Sequence, residues 1–369
     1  MMQARFNPYF DPAATFPKPD PAVLRFHRSL AGYDPTPLHS LGGLARELGV
    51  ANIFLKDESQ RFGLKAFKAM GAAWAVHRFL ERANSQPVTF ASATDGNHGR
   101  ALAWAASRSN QQAVIYIPHH AVPARVQAIH GEGAEVRVVD GSFDDAVRQC
   151  AEDSRREGFQ VISDTAYPGY MEIPAWVIEG YSTIFIEIED QIGRAPDVVI
   201  VQAGVGGLAA AVVRHYRQDG RPDRPAIVCV QPVVADGLIE SVTSEGGEAR
   251  PAKGNLETIM SGLSCAMPSL VAWPILRSAA TMFMSIEDRF AVEAVRRLYD
   301  PTGGDARVVA GEAGAAGIAG LLALMREPMF GEAKEKLRLT ENACVLVINS
   351  EGDTDPVNFR KIIDGQSGL

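Results

Sequence analysis

Lys68 stands in an unusual setting for a lysine. A short apolar strand at Ile53 to Leu55 leads into a polar turn, and the turn opens a helix that carries Lys68 between Phe67 and Ala69. Apolar neighbours and a helix N-terminus both disfavour an ammonium group, so we expect more of this side chain as the neutral amine. A neutral lysine can form a Schiff base with a carbonyl compound. The simpler interpretation is a surface lysine in an amphipathic helix, and this stretch alone leaves both open.

A second polar segment follows the strand predicted at Thr89 to Ser92. Residues 93–100 read Ala-Thr-Asp-Gly-Asn-His-Gly-Arg and open directly into a helix. Backbone N–H groups converge at such a turn, which suits a carboxylate or a phosphate. Thr94 or Asp95 acting only as a helix cap would explain the same residues.

A glycine turn joins a later buried strand to a helix of small residues. The sequence from Val201 reads Val-Gln-Ala-Gly-Val-Gly-Gly-Leu-Ala-Ala-Ala. Glycines let the backbone close around a phosphate while the helix dipole faces it. The turn lacks the Lys-Ser/Thr pair of a P-loop, which disfavours nucleoside triphosphate hydrolysis. Glycines needed only for tight helix packing are the alternative.

Other polar residues lie where predicted strands end. Ser350 and Glu351 follow the strand at Val345 to Ile348, and Asp164 comes just beyond a short strand. Open α/β sheets place ligand contacts at these ends, and a small hydroxyl there is well placed to meet a ring nitrogen. Glu351 as a solvated loop charge and Asp164 as a turn residue are the simpler alternatives. Glu312 is either a buried partner for a cation or a helix-start carboxylate.

Strand and helix patterns alternate along most of the chain, which predicts an α/β fold of two domains with mostly parallel, twisted sheets flanked by helices. Residues 1–21 are rich in proline and aromatic residues without a clear period, so we expect them to lie over a domain surface. Strands are predicted at residues 53–55, 89–92, 113–117, 135–139, 161–162, 198–202, 227–231 and 345–348, and helices include 22–30, 41–48, 69–82, 99–107, 121–130, 143–157 and 173–189.

The composition narrows the class of protein. The chain has 369 residues, of which 46% are hydrophobic and 22% charged, as in soluble globular proteins with an ample core. Its net charge of -8 without a basic run argues against a nucleic-acid partner. The four cysteines are far apart and predict reduced core thiols.

Membrane, metal and serine-triad chemistry are also disfavoured. The first ten residues lack the apolar segment of a signal peptide, and the apolar stretch 198–213 is interrupted by glycines, so we expect a cytoplasmic protein with no membrane partner. The eight histidines include no spaced pair with a helical carboxylate, so no metal site is expected. The chain has no Gly-x-Ser-x-Gly elbow.

Taken in order, these motifs resemble the fold type II enzymes of pyridoxal phosphate, and most specifically the diaminopropionate ammonia-lyase family. The resemblance covers nearly the whole chain. It rests on Phe6-Asn-Pro-Tyr-Phe, Arg61-Phe-Gly-Leu, Ala66-Phe-Lys, Thr94-Asp-Gly-Asn-His-Gly-Arg, Asp164-Thr-Ala, Ile173-Pro-Ala-Trp, Gln202-Ala-Gly-Val-Gly, Thr258-Ile-Met-Ser-Gly-Leu and Glu351-Gly-Asp-Thr-Asp.

The resemblance implies a role for each matching residue. Lys68 would bind pyridoxal 5'-phosphate covalently and act as a base at the substrate α-carbon. The other cofactor contacts would be Asn97 at the phenolic oxygen, Gly204, Val205, Gly206 and Gly207 at the phosphate, and Ser350 at the pyridine nitrogen. Thr94, Asp95 and Gly96 would surround the substrate carboxylate and side chain. Asp95 and Asp164 match a pair of aspartates in the family that suits a substrate with a β-ammonium group.

The resemblance also implies an activity. The family converts both enantiomers of 2,3-diaminopropionate by α,β-elimination to pyruvate and two ammonia, with Lys68 serving as base for the L isomer and Asp95 for the D isomer. A homodimer is implied, with a large cofactor-binding domain over residues 1–75 and 169–369 and a small domain over 76–168. Two alternatives remain: a dehydratase of serine, threonine or 3-hydroxyaspartate, and a non-catalytic binding protein on the same fold. Tyr167 and Pro168 stand where the family usually has Trp-Glu.

Overall fold

The computed structural model describes residues 1–83, 86–94, 96–119 and 121–366. Its strands are β1 (Gln3–Phe6), β2 (Leu38–Ser40), β3 (Asn52–Asp57), β4 (Thr89–Ala93), β5 (Gln112–Pro118), β6 (Glu135–Val139), β7 (Gln160–Val161), β8 (Val198–Gln202), β9 (Ala226–Pro232), β10 (Met282–Ile286) and β11 (Cys344–Asn349).

Helices separate most of these strands. They are α1 (Pro21–Ser29), α2 (Gly42–Leu48), α3 (Lys68–Arg82), α4 (Asn97–Arg108), α5 (Pro123–Gly131), α6 (Phe143–Glu157), α7 (Glu172–Gly180), α8 (Ser182–Ile192), α9 (Gly207–Tyr216), α10 (Gly237–Thr243), α11 (Ala272–Ala279), α12 (Asp288–Tyr299), α13 (Ala316–Arg326), α14 (Gly331–Lys336) and α15 (Pro356–Ile363). Short 3₁₀ turns cover Glu58–Gly63, Glu245–Gly247, Ser261–Leu263 and Pro328–Phe330.

The strands of the described residues form two sheets. The larger sheet has the order β1-β10-β9-β8-β11-β3-β2, and the smaller has the order β6-β5-β4-β7. β1 and β2 pair antiparallel at the two edges of the larger sheet, whereas all other pairings are parallel. Parallel pairing follows from the strand–helix alternation, because each helix returns the chain to the same end of the sheet. The prediction of an α/β fold is confirmed.

The centre of the larger sheet is buried on both faces. Every residue of β8 and of β11 is buried, which explains why both read as continuous apolar runs. Helix α9 belongs to the core cluster on one side, and α13 belongs to the cluster on the other. Small residues bring α13 close: a side chain at Gly320 would lie 2.6 Å from Val230 Cγ2. The carboxyl ends of β8 and β11 therefore have fixed positions.

Three strands and one helix break differ from the sequence predictions. β1, β2 and β10 were not expected, and the expectation that residues 1–21 only cover a surface is wrong for β1, which pairs with β10. The helix predicted over 173–189 is two helices, α7 and α8, that meet at Tyr181. The domain boundaries stay a prediction; α3 runs across the expected boundary at residue 75.

The residues that the structure describes were also expected to lack a membrane-spanning helix and a metal site. None of their helices is both long enough and apolar enough to cross a membrane. They contain no cluster of three or more histidine, cysteine or acidic side chains suited to a metal ion. Cys150, Cys229 and Cys344 are buried thiols as expected, but Cys265 is only half-buried and lies near the glycine turn.

Candidate functional site

Lys68 and Asp164 form an ion pair. Lys68 is the first residue of α3, which follows β3 of the larger sheet, whereas Asp164 follows β7 of the smaller sheet. Lys68 Nζ donates to Asp164 Oδ2, and the two side chains are 22% and 20% exposed. The Lys68 ammonium also lies over the Phe67 ring, 5.2 Å from its centroid. A carboxylate that holds an ammonium group is thus part of the site.

The pair changes the charge state expected for Lys68. Burial alone would lower the pKa of Lys68, but the Asp164 carboxylate outweighs it, and the pKa lies above its ordinary value. Burial would raise the pKa of Asp164, but the Lys68 ammonium holds it below its ordinary range. The expectation of a neutral Lys68 amine is therefore wrong for the paired state. The apolar neighbours in sequence gave no sign of the carboxylate.

The loop before Lys68 is tied to the segment after β11. Gly352 N donates to Lys65 O at 2.9 Å, and Phe67 N donates to Ser350 O at 3.1 Å. Lys65 has a φ of 58° and Phe62 a φ of 50°, both left-handed, which costs about 1–3 kcal/mol per residue. The two hydrogen bonds hold this backbone in place and set Lys68 beside Ser350.

Ser350 is oriented by Gln202 at the end of β8. Gln202 Nε2 donates to Ser350 Oγ at 2.7 Å and to two main-chain carbonyls, Ile348 O at 2.9 Å and Gly314 O at 3.1 Å. Because carbonyl oxygens can only accept, the Gln202 side-chain atom that faces them must be the NH₂ nitrogen. Because Ser350 Oγ accepts from the amide, its own O–H hydrogen is free to donate in another direction.

The glycine turn connects β8 to α9. Gly206 is left-handed, with a φ of 99°, and caps the helix, and Ser269 N donates to Val205 O at 2.9 Å. A side chain at Gly204 would lie 2.9 Å from Cys265 Sγ, which places this thiol beside the turn. The first N–H groups of an α-helix have no partner within the helix, and its N-terminus is positive. Such an arrangement suits a phosphate.

The asparagine loop lies at the end of β4. Thr94 Oγ1 accepts from Gly96 N at 3.1 Å, and Asn97 begins α4. Asp95, for which both catalytic and substrate-binding roles were expected, lies outside the described residues. Asn97 Nδ2 donates to the carboxylate of Glu351, which is 3% exposed. Glu351 is therefore a buried partner of the loop, and the alternative of a solvated charge is wrong.

Arg125 connects the asparagine loop to the larger sheet. This α5 side chain is 8% exposed, and its Nη2 donates to Ser261 Oγ at 2.8 Å and lies 3.4 Å from Thr354 Oγ1. A side chain at Gly96 would lie 2.6 Å from Arg125 Cδ, so only glycine allows this approach. A cavity of about 200 Å³ opens here; its lining includes Lys65, Asn97, Arg100, Arg125, Asp353 and Thr354.

Among the described residues, no lysine, arginine or histidine forms an ion pair with Glu312. Its Oε1 accepts from Asn358 Nδ2, and burial, reinforced by Glu351 and Asp355, raises its pKa to about 7. The alternative of a buried partner for a cation is not what the structure shows. Glu312, 4% exposed, is thus a buried carboxyl that is about half protonated at neutral pH.

Comparisons with known proteins agree with this arrangement. Residues 30–349 match the family described as pyridoxal-phosphate dependent enzymes. A diaminopropionate ammonia-lyase of Escherichia coli strain K12 is 40% identical over 358 residues, covering 92% of this chain and 89% of the relative. The chain belongs to the diaminopropionate ammonia-lyase family. A second member, from Salmonella typhimurium, is 36% identical over 92% of this chain and 91% of its own length.

Solved structures of the diaminopropionate ammonia-lyase family share the fold. The Escherichia coli enzyme in complex with an aminoacrylate-PLP azomethine reaction intermediate superposes with a TM-score of 0.92 at 38% identity, covering 100% of this chain and 98% of that one. A maize serine racemase, 22% identical with a TM-score of 0.74, shares the fold alone. The chain is therefore a pyridoxal-phosphate dependent enzyme, and the alternative of a non-catalytic binding protein is wrong.

The donor set of this chain fits pyridoxal phosphate. It provides an amine, a hydroxyl whose hydrogen is free to donate, and a glycine turn at the positive end of a helix. The structure brings Lys68, Asp164, Ser350 and the turn at Gly204–Gly207 into one region, with Thr94, Gly96 and Asn97 at its edge. Their individual roles stay predictions.

Sequence reasoning missed two residues of this region. Gln202 stands inside the glycine motif, but nothing in the motif shows that it bonds to Ser350. Arg125 lies in a helical pattern that gave no functional signal. In each case the signal is a contact between residues far apart in sequence, which periodicity does not contain.

Proposed function

We propose that this enzyme eliminates the β-amino group of 2,3-diaminopropionate and yields pyruvate and two ammonia. The observation that carries the proposal is the Asp164 carboxylate, which already holds an ammonium group, that of Lys68. Once Lys68 is joined to the cofactor through its amine, Asp164 is available to another ammonium group. A β-ammonium of the substrate has the matching charge, whereas the hydroxyl of serine does not.

Five positions would hold the cofactor. Lys68 would bind it covalently, Asn97 would contact its phenolic oxygen, the turn at Gly204–Gly207 would bind its phosphate, and Ser350 would donate to its ring nitrogen. When bound, pyridoxal phosphate withdraws electrons and stabilises negative charge at the substrate α-carbon. Gln202 orients the Ser350 hydroxyl at 2.7 Å, and this neutral group would leave the ring nitrogen unprotonated. That would suit elimination, because the ring need not take up the full carbanion charge.

The side chains of this enzyme would then divide the remaining work. Lys68 would be released when the substrate α-amine takes its place on the cofactor, and its free Nζ would then accept the α-proton of the L isomer. Asp95 would accept the α-proton of the D isomer from the opposite face. Thr94, Asp95 and Gly96 surround the substrate carboxylate and side chain, and Asp164 holds the β-ammonium. The β-amine leaves as ammonia, and the released unsaturated amino acid hydrolyses in water to pyruvate and a second ammonia.

The ratio of ammonia to pyruvate released from each enantiomer of 2,3-diaminopropionate would test this proposal. L-serine would be run as a parallel substrate. We expect two ammonia per pyruvate from both enantiomers and little turnover of serine. Turnover of serine or a hydroxy amino acid with one ammonia per oxoacid, and none of diaminopropionate, would instead assign the enzyme to the dehydratases.

The assignment of Asp95 can be tested separately. We expect Asp95→Asn to lose activity on D-diaminopropionate while keeping most of its activity on the L isomer. Loss of activity on the L isomer with the D isomer spared would show that the two bases are assigned the wrong way round.

We further propose a homodimer located in the cytoplasm, with a large domain over residues 1–75 and 169–369 and a small domain over 76–168. The family resemblance supports the dimer, and the placement of β4 to β7 within the small domain supports the division. Light scattering should give about twice the 39.7 kDa mass of one chain.

A further inference from the structure

Tyr181 lies between the helix of Lys68 and the helix of the glycine turn. It occupies the junction of α7 and α8 and is 1% exposed. A side chain at Gly71 of α3 would lie 2.6 Å from Tyr181 Cε1, and one at Gly207 of α9 would lie 3.7 Å from Tyr181 Cε2. The Cε atoms flank the hydroxyl-bearing carbon, so the hydroxyl end of the ring lies between these two helices.

The Tyr181 hydroxyl has no hydrogen-bond partner among the described residues, although it is buried. A buried hydroxyl without a partner is unfavourable, and in native proteins most buried polar groups have one. Both helices have glycine at the contact with the Tyr181 ring, so at these two positions no side chain stands between the helix and the ring. Such a group is accounted for when its partner is a ligand.

The surroundings indicate a negatively charged acceptor. Gly207 is the first residue of α9, and the N-terminus of this helix attracts anions. Burial raises the pKa of Tyr181 above its ordinary value, with the Lys68 ammonium opposing and Asp164 reinforcing the shift, so the phenol keeps its proton at neutral pH. The charges of Lys68 and Asp164 act on Tyr181, but neither group makes a hydrogen bond with its hydroxyl. Tyr181 is thus a hydrogen-bond donor facing an anion site.

We propose that the Tyr181 hydroxyl donates a hydrogen bond to the phosphate group of the cofactor held at the glycine turn. The phosphate offers several acceptor oxygens, and the N–H groups of the helix N-terminus cannot engage all of their lone pairs. This inference rests on the cofactor and not on the proposed substrate. Its test therefore uses no amino acid, and the substrate proposal can fail without it.

Cofactor affinity isolates the proposed bond. Pyridoxal phosphate and pyridoxal share the aldehyde that reacts with Lys68 and differ only in the phosphate. We expect Tyr181→Phe, titrated as the full-length chain without cofactor, to bind pyridoxal phosphate roughly 10- to 100-fold more weakly and pyridoxal as well as the unmodified chain does. Tyr216→Phe, which alters an equally buried tyrosine at the far end of α9, is the matched control and should change neither affinity.

Thermal stability provides a second readout. Without cofactor, Tyr181→Phe removes an unpaired buried hydroxyl. The melting temperature of the variant should therefore be the same as that of the unmodified chain or up to about 2 °C higher. With saturating pyridoxal phosphate, the variant should gain less than the unmodified chain does, because it binds the ligand more weakly.

Three results would overturn the proposal. They are unchanged affinity of Tyr181→Phe for pyridoxal phosphate, equal weakening for both ligands, and a lower melting temperature of the variant without cofactor. The last would show that the hydroxyl has a partner within the protein.

Discussion

In our proposal, the charge of Asp164 favours a substrate with a β-ammonium over one with a β-hydroxyl. Replacing Asp164 with asparagine keeps the shape and removes the charge. We expect Asp164→Asn to lower kcat/KM for L-diaminopropionate roughly 100-fold, equivalent to about 3 kcal/mol of lost interaction with the ammonium. Steady-state kinetics of pyruvate release would measure the effect.

Asp140→Asn is a suitable control, because that carboxylate is fully exposed and lies away from the cavity. Asp164→Asn should also lower the pKa of Lys68, since the Asp164 carboxylate is what raises it. Unaltered kinetics in Asp164→Asn would mean that the β-ammonium is recognised elsewhere.

Glu312 makes stability depend on pH. Its pKa rises from 4.5 to about 7 on folding, so between these values the native state binds a proton that the unfolded state has released. The free energy of unfolding therefore falls as pH rises through this window. Relative to Glu312→Gln, the unmodified protein should lose about 2.5 kcal/mol between pH 5 and pH 8.

Denaturant unfolding of both proteins at pH 5 and pH 8 would measure that difference. Glutamine keeps the oxygen that accepts from Asn358, so the packing is preserved. A difference in stability that stays the same at both pH values would contradict the raised pKa.

At the residue scale, sequence motifs predicted which groups lie together but not their charge states. Lys68, Ser350 and the glycine turn were all identified from strand ends and helix starts. The partners that set their protonation and direction, Asp164 and Gln202, act through contacts across the fold. Burial and charge pairing depend on these contacts, and neither can be read from neighbouring residues alone.

At the scale of secondary-structure elements, the start of helix α9 depends on the backbone conformation of Gly206. Gly206 has a φ of 99°, and a Cβ there would lie 2.9 Å from Leu276 Cδ1. We expect Gly206→Ala to cost about 1–3 kcal/mol of stability and to weaken binding of pyridoxal phosphate, because the glycine turn must shift. Thermal unfolding and a cofactor titration would measure the two effects.

Gly193→Ala separates backbone strain from the site. Gly193 ends α8 with a φ of 67°, and a Cβ there would meet nothing within 4 Å. This variant should lose some stability but keep its cofactor affinity. If Gly206→Ala also kept its cofactor affinity, the turn would not be the phosphate site.

The strands that sequence analysis missed share a physical reason. β1 and β2 are edge strands of the larger sheet. Each forms because the adjacent strand offers backbone hydrogen bonds, and not because its own apolar and polar side chains alternate. β10 has five buried residues without alternation, and such a short apolar run does not distinguish a strand from a helix. The central strands were predicted because helices flank them at regular spacing.

For the whole molecule, Arg125 links the two sheets across the cavity. It donates from α5, between β5 and β6 of the smaller sheet, to Ser261 Oγ, beside the larger one. We expect Arg125→Met to raise KM for diaminopropionate several-fold and to speed amide hydrogen exchange of residues 352–355 about tenfold, with little loss of global stability.

Ser261→Ala removes one acceptor of the same side chain and should give a smaller change at the same positions. If exchange became faster throughout the chain, Arg125 would be supporting the global fold instead of the link between the sheets.

The position of β11 in the larger sheet has a consequence for synthesis. The last strand of the described residues inserts between β8 and β3, so the two halves of the sheet cannot join until the ribosome has made residue 349. Until then β3 and β8 present open edges, which invite mispairing with other nascent chains. Ser350 emerges directly after β11, so the event that closes the sheet also delivers the last of the proposed cofactor contacts. A chain that ends before β11 would neither close the sheet nor retain the cofactor.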